Sequence, residues 1–397
     1  MKKTVSLRFL VTLVCFFTAA AVAVTTMLFT FVIVPKREGA LFDHNQKMLE
    51  IRDLVERYYT GELDEEYVRE CLAMGYVAGL NDKYADYITP DMAEESMNQL
   101  YGLNTGIGVQ VTAHPDNMSI LVLEVHRDSP AHKAGVQPKD EIIRLDGQNV
   151  SELGYSEALA YIKSIPLGNK MKTVLLRDGK EIEMELELTQ FVTQSVFYRV
   201  IDNVGYVQIT TFNDSSVDQF TDAIDDLVKQ NVEGIIFDLR GNGGGTLLSV
   251  YHMVDYLIPE GLAIEVKYKD PANSQTYLSG PEDVDIPMVV LTDESTASAS
   301  ELFTQALKDY DKAISVGRTT YGKGVVQRTF SLSDGSLVRF TVAKYYTANG
   351  TCLDGIGVIP EIKIEWTEEE LRYRLLKGIE VDKDFLKAME HLKTQKS

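Results

Sequence analysis

The chain has 397 residues, 45% of them apolar and 25% charged, proportions that exclude wholesale disorder and a multi-span membrane protein. At roughly 150 residues per domain, the length sets an expectation of two to three domains. Charge is lopsided: 39 basic residues stand against 59 acidic, net −20. The first 37 residues hold five basic residues and no acidic one, so the remainder carries −25. A body so acidic argues against nucleic acid as a main partner, because phosphate binding needs clustered Lys and Arg. Three cysteines, one of them in the apolar head, exclude a disulfide scaffold and leave no CxxC metal or redox spacing.

Phe9 to Val34 runs 26 residues without a charge, Pro or Gly, behind Lys2, Lys3 and Arg8. As a helix it reaches about 39 Å, enough to cross a hydrocarbon core of about 30 Å with tilt. Basic residues before the span and an acidic body after it set the expectation of a single-pass anchor, residues 1–37, with the body outside the cytoplasm. The rival is a cleaved signal peptide, with Ala21-Val22-Ala23 as an A-x-A site.

Residues 38–103 read helical. Leu49, Leu54, Val55 and Tyr58 recur at helical spacing, Tyr67 to Leu80 is a second such run, and Pro90-Asp91 opens a third. Scaffolding or dimer contact is the role expected there. From about residue 104 the period becomes strand-like, through Gly106-Ile107-Gly108-Val109-Gln110-Val111 and Ser119 to Val125. Next come Ser129-Pro130-Ala131, "GVQPKDEII" (135–143) and the hairpin signal Asp146-Gly147-Gln148. This succession resembles a PDZ domain, here 104–188. The resemblance implies that a peptide adds as a strand to an open sheet edge, its terminal carboxylate held by the segment Gly106, Ile107, Gly108 and Val109. Read by itself, the same segment is a tight turn feeding a strand.

After residue 200 strands and helices alternate: Val204–Thr210, Val217–Lys229, Gly234–Leu239, Thr246–Leu257, Met288–Thr292 and Ala299–Lys308. That is βαβ logic, with a mainly parallel sheet and its site at the strand ends. Beyond Asp382 the pattern is a tail helix, 381–397.

Three loops follow strands. In Arg240-Gly241-Asn242-Gly243-Gly244-Gly245-Thr246 the sixth place of G-x-G-x-x-G is Thr246, and no P-loop pattern is present, so a nucleotide site is disfavoured. Backbone donors of this loop, at a helix N-terminus, suit an oxyanion. In Ser295-Thr296-Ala297-Ser298-Ala299-Ser300-Glu301, Ser298 is either a nucleophile at a helix start or the cap of a Ser-x-x-Glu capping box. In Tyr321-Gly322-Lys323-Gly324-Val325, Lys323 is either a buried lysine whose lowered pKa suits a general base, or part of a surface turn. None of the six histidines lies in these loops and HExxH is absent, so neither a zinc site nor a Ser-His-Asp triad has a seat. His252 reads as packed within its helix. If a serine is activated here, lysine is the available base.

The ordered motifs "LRGNGGG" (239–245), "STASASE" (295–301), "GRTTYGKGVVQ" (317–327) and "GIGVIPEI" (355–362), with "GLNDKYADYI" (79–88) ahead of the PDZ-like segment, resemble the C-terminal processing (tail-specific) peptidases. The resemblance implies an α/β multidomain protein. A transmembrane helix and a helical segment come first, then a PDZ-like β-rich domain inserted before a βαβ-type, crotonase-like protease core, 189–380. It places the nucleophile on Ser298, the base on Lys323, the residue orienting the lysine on Gln327, and the oxyanion hole on the amides of Gly244 and Ala299. It implies no cofactor and no metal. It also implies protein or peptide substrates with exposed C-terminal tails, and a homodimer through the N- and C-terminal helices is a further expectation. A catalytically inactive PDZ scaffold is the alternative, and a serine-directed probe separates the two.

Overall fold

A computed structural model of the chain describes residues 35–114, 117–368, 370–371 and 378–394. The apolar run Phe9–Val34, expected to span a membrane, lies outside the described residues. Among the described residues no helix is long and apolar enough to cross a membrane. The chain divides into two compact units between Arg69 and Glu70. The first holds α1 (Pro35–Tyr58) and the start of α2 (Glu65–Ala78). On α1, Arg57 pairs with Asp53 and Arg52 with Glu56, exposed one-turn pairs that each add only a few tenths of a kcal/mol, on the order of 0.3–0.5.

The second unit begins with the rest of α2, and a short strand then interrupts the stretch expected to be helical. β1 (Asp86–Ile88) precedes α3 (Pro90–Tyr101), whose start is set by Pro90 and whose end is set by Gly102 in the left-handed region. β2 (Leu103–Gly106) then leads into a domain with its own core. Its elements are β3 (Val109–Ala113), β4 (Ile120–Val125), α4 (Pro130–Ala134), β5 (Glu141–Leu145), β6 (Gln148–Asn149), α5 (Val150–Leu153), α6 (Tyr155–Ser164), β7 (Lys170–Arg177) and β8 (Lys180–Glu187). Strand order is β3-β4-β5-β7-β8, with β6 hairpinned onto β5 through Asp146-Gly147. The exit strand β9 (Thr189–Val192) pairs antiparallel with the entry strand β2, Leu103 opposite Val192. Chain thus enters and leaves this domain side by side.

The following elements are β10 (Val196–Ile201), β11 (Val204–Ile209), α7 (Asp214–Lys229), β12 (Ile235–Asp238), α8 (Leu247–Asp255), β13 (Gly261–Tyr268), β14 (Gln275–Ser279), β15 (Met288–Thr292), α9 (Ala299–Asp309), β16 (Ala313–Gly317), β17 (Val325–Ser331), β18 (Leu337–Thr347), β19 (Ile362–Lys363) and α10 (Lys383–Thr394). A sheet of order β10-β11-β12-β15-β16-β19 is parallel except at β10. Its central strands β12 and β15 are buried and mostly apolar on both faces, as a sheet covered on both sides requires. Ile235, Phe237, Met288 and Val290 point to the core shared with α7, α8 and α9. Ile236, Val289 and Leu291 point the other way, onto Phe385, Ala388, Met389 and Leu392 of α10. The C-terminal helix therefore buries Phe385, Ala388, Met389 and Leu392 within its own chain and leaves Leu386 exposed. Parallel pairing is also only half the core. A second sheet, antiparallel, has order β1-β18-β13-β14 with β17 also on β18, and its Ala263, Ile264, Val266, Ala343 and Tyr345 close the α7–α9 core.

Candidate active site

β12, β15 and β16 are neighbours in the parallel sheet, and each ends in one of the three loops singled out by sequence. Ligand sites of open α/β sheets lie at such carboxyl ends. The first two loops are tied together by hydrogen bonds, most of them buried. Asp293 Oδ1 accepts from the Gly241 amide at 3.0 Å, and Thr296 Oγ1 donates to the Leu239 carbonyl at 2.9 Å. The Asn242 carbonyl accepts from the Ala297 amide and from Ser300 Oγ, both at 3.0 Å. Asn242 itself is 1% exposed, and its side chain donates to the Ile209 carbonyl at 2.8 Å.

Ser298 sits between strand and helix at φ 57°, ψ −117°. A side chain in that region strains the backbone, and such strain persists only where surrounding structure imposes it. Gly244, at φ 104°, lies so close that a methyl group on it would stand 2.8 Å from Ser298 Cβ and 2.9 Å from the Ala299 amide nitrogen. The structure thus brings Gly244, Ser298 and Ala299 together, while the Gly244 amide donates to Asn242 Oδ1 at 2.9 Å.

Glu301, 0% exposed, joins the second loop to the third. Its Oε2 accepts from the Ser298 amide at 2.7 Å and the Lys323 amide at 2.8 Å; its Oε1 accepts from the Gly322 amide at 2.7 Å and from Thr320 Oγ1. A one-turn capping signal is therefore also the link between serine and lysine loops. Behind them the buried Tyr345 hydroxyl lies 2.6 Å from the Lys323 carbonyl and 3.1 Å from the Ser298 carbonyl. Burial pushes that phenol's pKa far above its usual value, so it stays a donor.

Lys323 Nζ donates to Gln327 Oε1 at 2.7 Å. On a regular strand these residues would stand about 13 Å apart. Lys323 instead precedes β17, and the β17–β18 register slips between Val326 and Gln327. Burial lowers the Lys323 pKa and nearby Arg339 lowers it further, against Asp82 and Glu301. Ser298 and Lys323 both line one cavity of about 510 Å³, walled by Met97 and Leu100 of α3, Leu247, Val250, Leu302 and Val326. No hydrogen bond joins the serine hydroxyl to the lysine among the described residues. His252 is exposed on α8, its ring 5.0 Å from that of Tyr251, rather than packed.

In the inserted domain, Gly106, Ile107, Gly108 and Val109 line a separate cavity of about 180 Å³ with Leu159 and Ile162 of α6. The Ile107 carbonyl accepts from the Ala131 amide at 2.8 Å and the Gly108 carbonyl from the His126 amide at 3.0 Å. Gly108 at φ 83° admits no side chain, since a Cβ there would lie 2.1 Å from Ser129 Cβ. β3 pairs with β4 on one side and forms the end of its sheet.

Comparison with known proteins places this arrangement. The profile of peptidase family S41 matches residues 203–364, and that of a PDZ domain matches 105–188. The carboxy-terminal processing protease CtpA of Bacillus subtilis is 33% identical over 330 residues, covering 82% of this chain and 69% of that protein. The chain belongs to peptidase family S41. A second relative of the S41 peptidase, the carboxyl-terminal-processing protease of Synechocystis sp. PCC 6803, is 30% identical over 296 residues, 73% of this chain and 69% of that one. A solved Bacteroides fragilis structure assigned to the S41 proteases shares the fold, with TM-score 0.60 and 18% identity, over 85% of this S41 peptidase and 93% of that chain. The protein is a mixed α/β, serine-type carboxy-terminal processing peptidase with a PDZ domain ahead of its core. Sequence reasoning gave Glu301 only a capping role and Tyr345 none. The Ser-x-x-Glu spacing was the available signal for the first; the second, 47 residues beyond Ser298, carries none.

Proposed function

We propose that this S41 peptidase is a membrane-anchored, extracytoplasmic endopeptidase that recognises exposed C-terminal tails and cleaves near them through a Ser298–Lys323 dyad. The observation that carries the dyad is a strained serine and a half-buried lysine of lowered pKa facing one cavity. Neutral Lys323, held by Gln327, takes the Ser298 proton as the serine oxygen attacks a peptide carbonyl. The Ala299 amide, at the first turn of α9, and the Gly244 amide stabilise the tetrahedral oxyanion, the latter once it leaves Asn242 Oδ1. Protonated Lys323 then gives its proton to the leaving amine, and water repeats the steps on the acyl-enzyme.

Tail selection falls to the groove between β3 and α6, where an open edge receives an extended peptide. The charge step between residues 1–37 and the acidic body supports an anchored protein with its body outside. Exposed Leu49, Leu54 and Tyr58 on α1 support self-association through the N-terminal region, which sedimentation of residues 38–397 tests against 79–397. The deciding experiment is labelling by a fluorophosphonate probe, together with cleavage of an unstructured apolar-tailed protein. Wild type labels and cleaves, while Ser298→Ala and Lys323→Ala lose at least about 10³-fold in rate. Full proteolysis by Ser298→Ala would end the assignment, and an unlabelled wild type would favour the inactive scaffold. Reporter fusions after residue 38 that are active only in the cytoplasm would overturn the topology.

A further inference from the structure

The segment Asn81-Asp82-Lys83-Tyr84-Ala85-Asp86, ahead of the PDZ domain, takes no part in the chemistry above, yet it touches the lysine. Asp82 Oδ1 accepts from the Tyr84 amide at 3.0 Å, the Ala85 amide donates to the Asp82 carbonyl at 2.9 Å, and together they close a tight turn. Asp82 Oδ2 accepts from the Thr341 amide of β18 at 2.8 Å. Just beyond the turn, β1 pairs with β18, Asp86 opposite Arg339. The turn is thus stapled at both ends to the strand that also pairs with β17, where Gln327 faces Thr341.

Tyr84 makes two contacts from that fixed place. Its backbone carbonyl accepts from Gln327 Nε2, and its ring centroid lies 4.7 Å from Lys323 Nζ. A carbonyl only accepts, so it fixes the amide flip of Gln327: Nε2 must face Tyr84, and Oε1 must face the lysine. With the amide reversed, two donors would meet at Lys323. The aromatic face adds attraction for an ammonium and much less for the neutral amine.

We infer that the Asp82–Tyr84 turn is a positioning element for the base: Tyr84 sets the flip of Gln327 and covers the ammonium of Lys323, and Asp82 holds the turn on β18. The inference rests on the reading of Lys323 as general base. No residue of the turn lines the cavity of Ser298; each acts through Gln327 or Lys323. The charges around the lysine are Asp82 and Lys83 from the turn, Glu301 from α9 and Arg339 from β18. Asp82 and Glu301 favour the charged form, Lys83 and Arg339 oppose it, and burial opposes it most; the Tyr84 ring, 4.7 Å from Nζ, adds attraction for the ammonium. The turn therefore moderates a depressed pKa, and it receives the ammonium formed when Ser298 is deprotonated.

The test is the pH profile of Ser298 labelling by a fluorophosphonate, measured on residues 38–397 with melting temperature recorded for every variant. Wild-type labelling rises with pH as Lys323 loses its proton. Tyr84→Leu keeps the carbonyl and removes the ring, so the rising limb moves to lower pH by about 0.5–1 unit. Asp82→Asn removes the charge and one acceptor, so its limb moves the same way and its plateau falls about 10-fold. Tyr84→Phe keeps ring and carbonyl and returns the limb to the wild-type position. If Tyr84→Leu melts below the assay temperature, Asp82→Asn and Tyr84→Phe still decide. Wild-type limbs in both Tyr84→Leu and Asp82→Asn, with Lys323→Ala silent, overturn the turn's role and leave the lysine reading standing. Labelling of Lys323→Ala with an unchanged limb overturns the lysine reading itself.

Discussion

Replacing Glu301 with Gln substitutes an amide N–H for one of two carboxylate oxygens, and each of those oxygens accepts two hydrogen bonds. Whichever way the amide turns, two buried donors lose their acceptor and meet a third donor. The cost is about 2–4 kcal/mol of stability, and the serine and lysine loops lose their link. Urea denaturation of Glu301→Gln should show that loss, and probe labelling should fall by about 10² or more; wild-type labelling would show that the link is dispensable. Lys323 carries the opposite balance. Its folded pKa lies below the unfolded value near 10.5, so the unfolded chain binds more protons between the two. Stability therefore rises with pH across that window, and the cost of the half-buried ammonium is fully present below it. Lys323→Met should be inactive yet melt about 1–3 °C higher at pH 7, with the gain shrinking as pH approaches 10.5. A lower, pH-independent melting temperature would contradict this. At this scale the sequence is legible only where chemistry leaves a local mark. Ser298 and Lys323 stand out because glycines and small residues surround them. Glu301 was visible as a cap, but Tyr84, 243 residues before Gln327, has no local mark of its contact with that side chain.

Among the elements, the alternation of β11, α7, β12, α8, β15 and α9 was readable because fully buried parallel strands are continuous apolar runs. The antiparallel sheet was not, since β18 mixes Arg339, Thr341 and Lys344 with its apolar residues and β1 is three residues long. α10 read as a tail helix, and nothing in its period shows that it lies on β12 and β15. Its anchor is ionic. Arg240, in the loop after β12, reaches Asp382 at 2.8 Å and Asp384 at 2.9 Å besides pairing with Asp238, and the Arg240 side chain is 3% exposed. Burial alone would discourage the guanidinium charge, but Asp238 and Asp382 hold its pKa well above the usual value. Asp384 also accepts from Trp366 Nε1 at 2.9 Å, and Arg318 NH1 lies 3.6 Å from its carboxylate. Asp384→Ala leaves the buried Arg240 guanidinium and the partly buried Arg318 guanidinium each short of a partner, a loss of about 3–5 kcal/mol. Chemical denaturation should show that loss, together with earlier proteolytic release of α10. A midpoint within about 0.5 kcal/mol of wild type would mean the ions are not what holds the helix.

For the whole molecule, the consequential feature is that the PDZ domain enters and leaves the core through the paired strands β2 and β9. Residues opposed in an antiparallel pair have Cα atoms about 5 Å apart, so Leu103 and Val192 can be joined by two glycines without moving either. The domain's core is separate from both core clusters of the protease, so its removal opens no cavity in them. Excision of 104–191 should therefore leave a cooperative, probe-reactive core. What it removes is the open edge of β3 and the cavity beside Gly106 to Val109. Wild type should cleave a tail-bearing substrate at least about 10-fold faster than the same substrate with an amidated C-terminus, because the amide removes the charge that backbone N–H groups would hold. In the excised protein that ratio should fall to about one, whatever happens to the absolute rate. If the shortened core still separates acid from amide, tail recognition lies in the cavity beside Ser298, and Arg328 and Arg339 on its wall become the groups to change next.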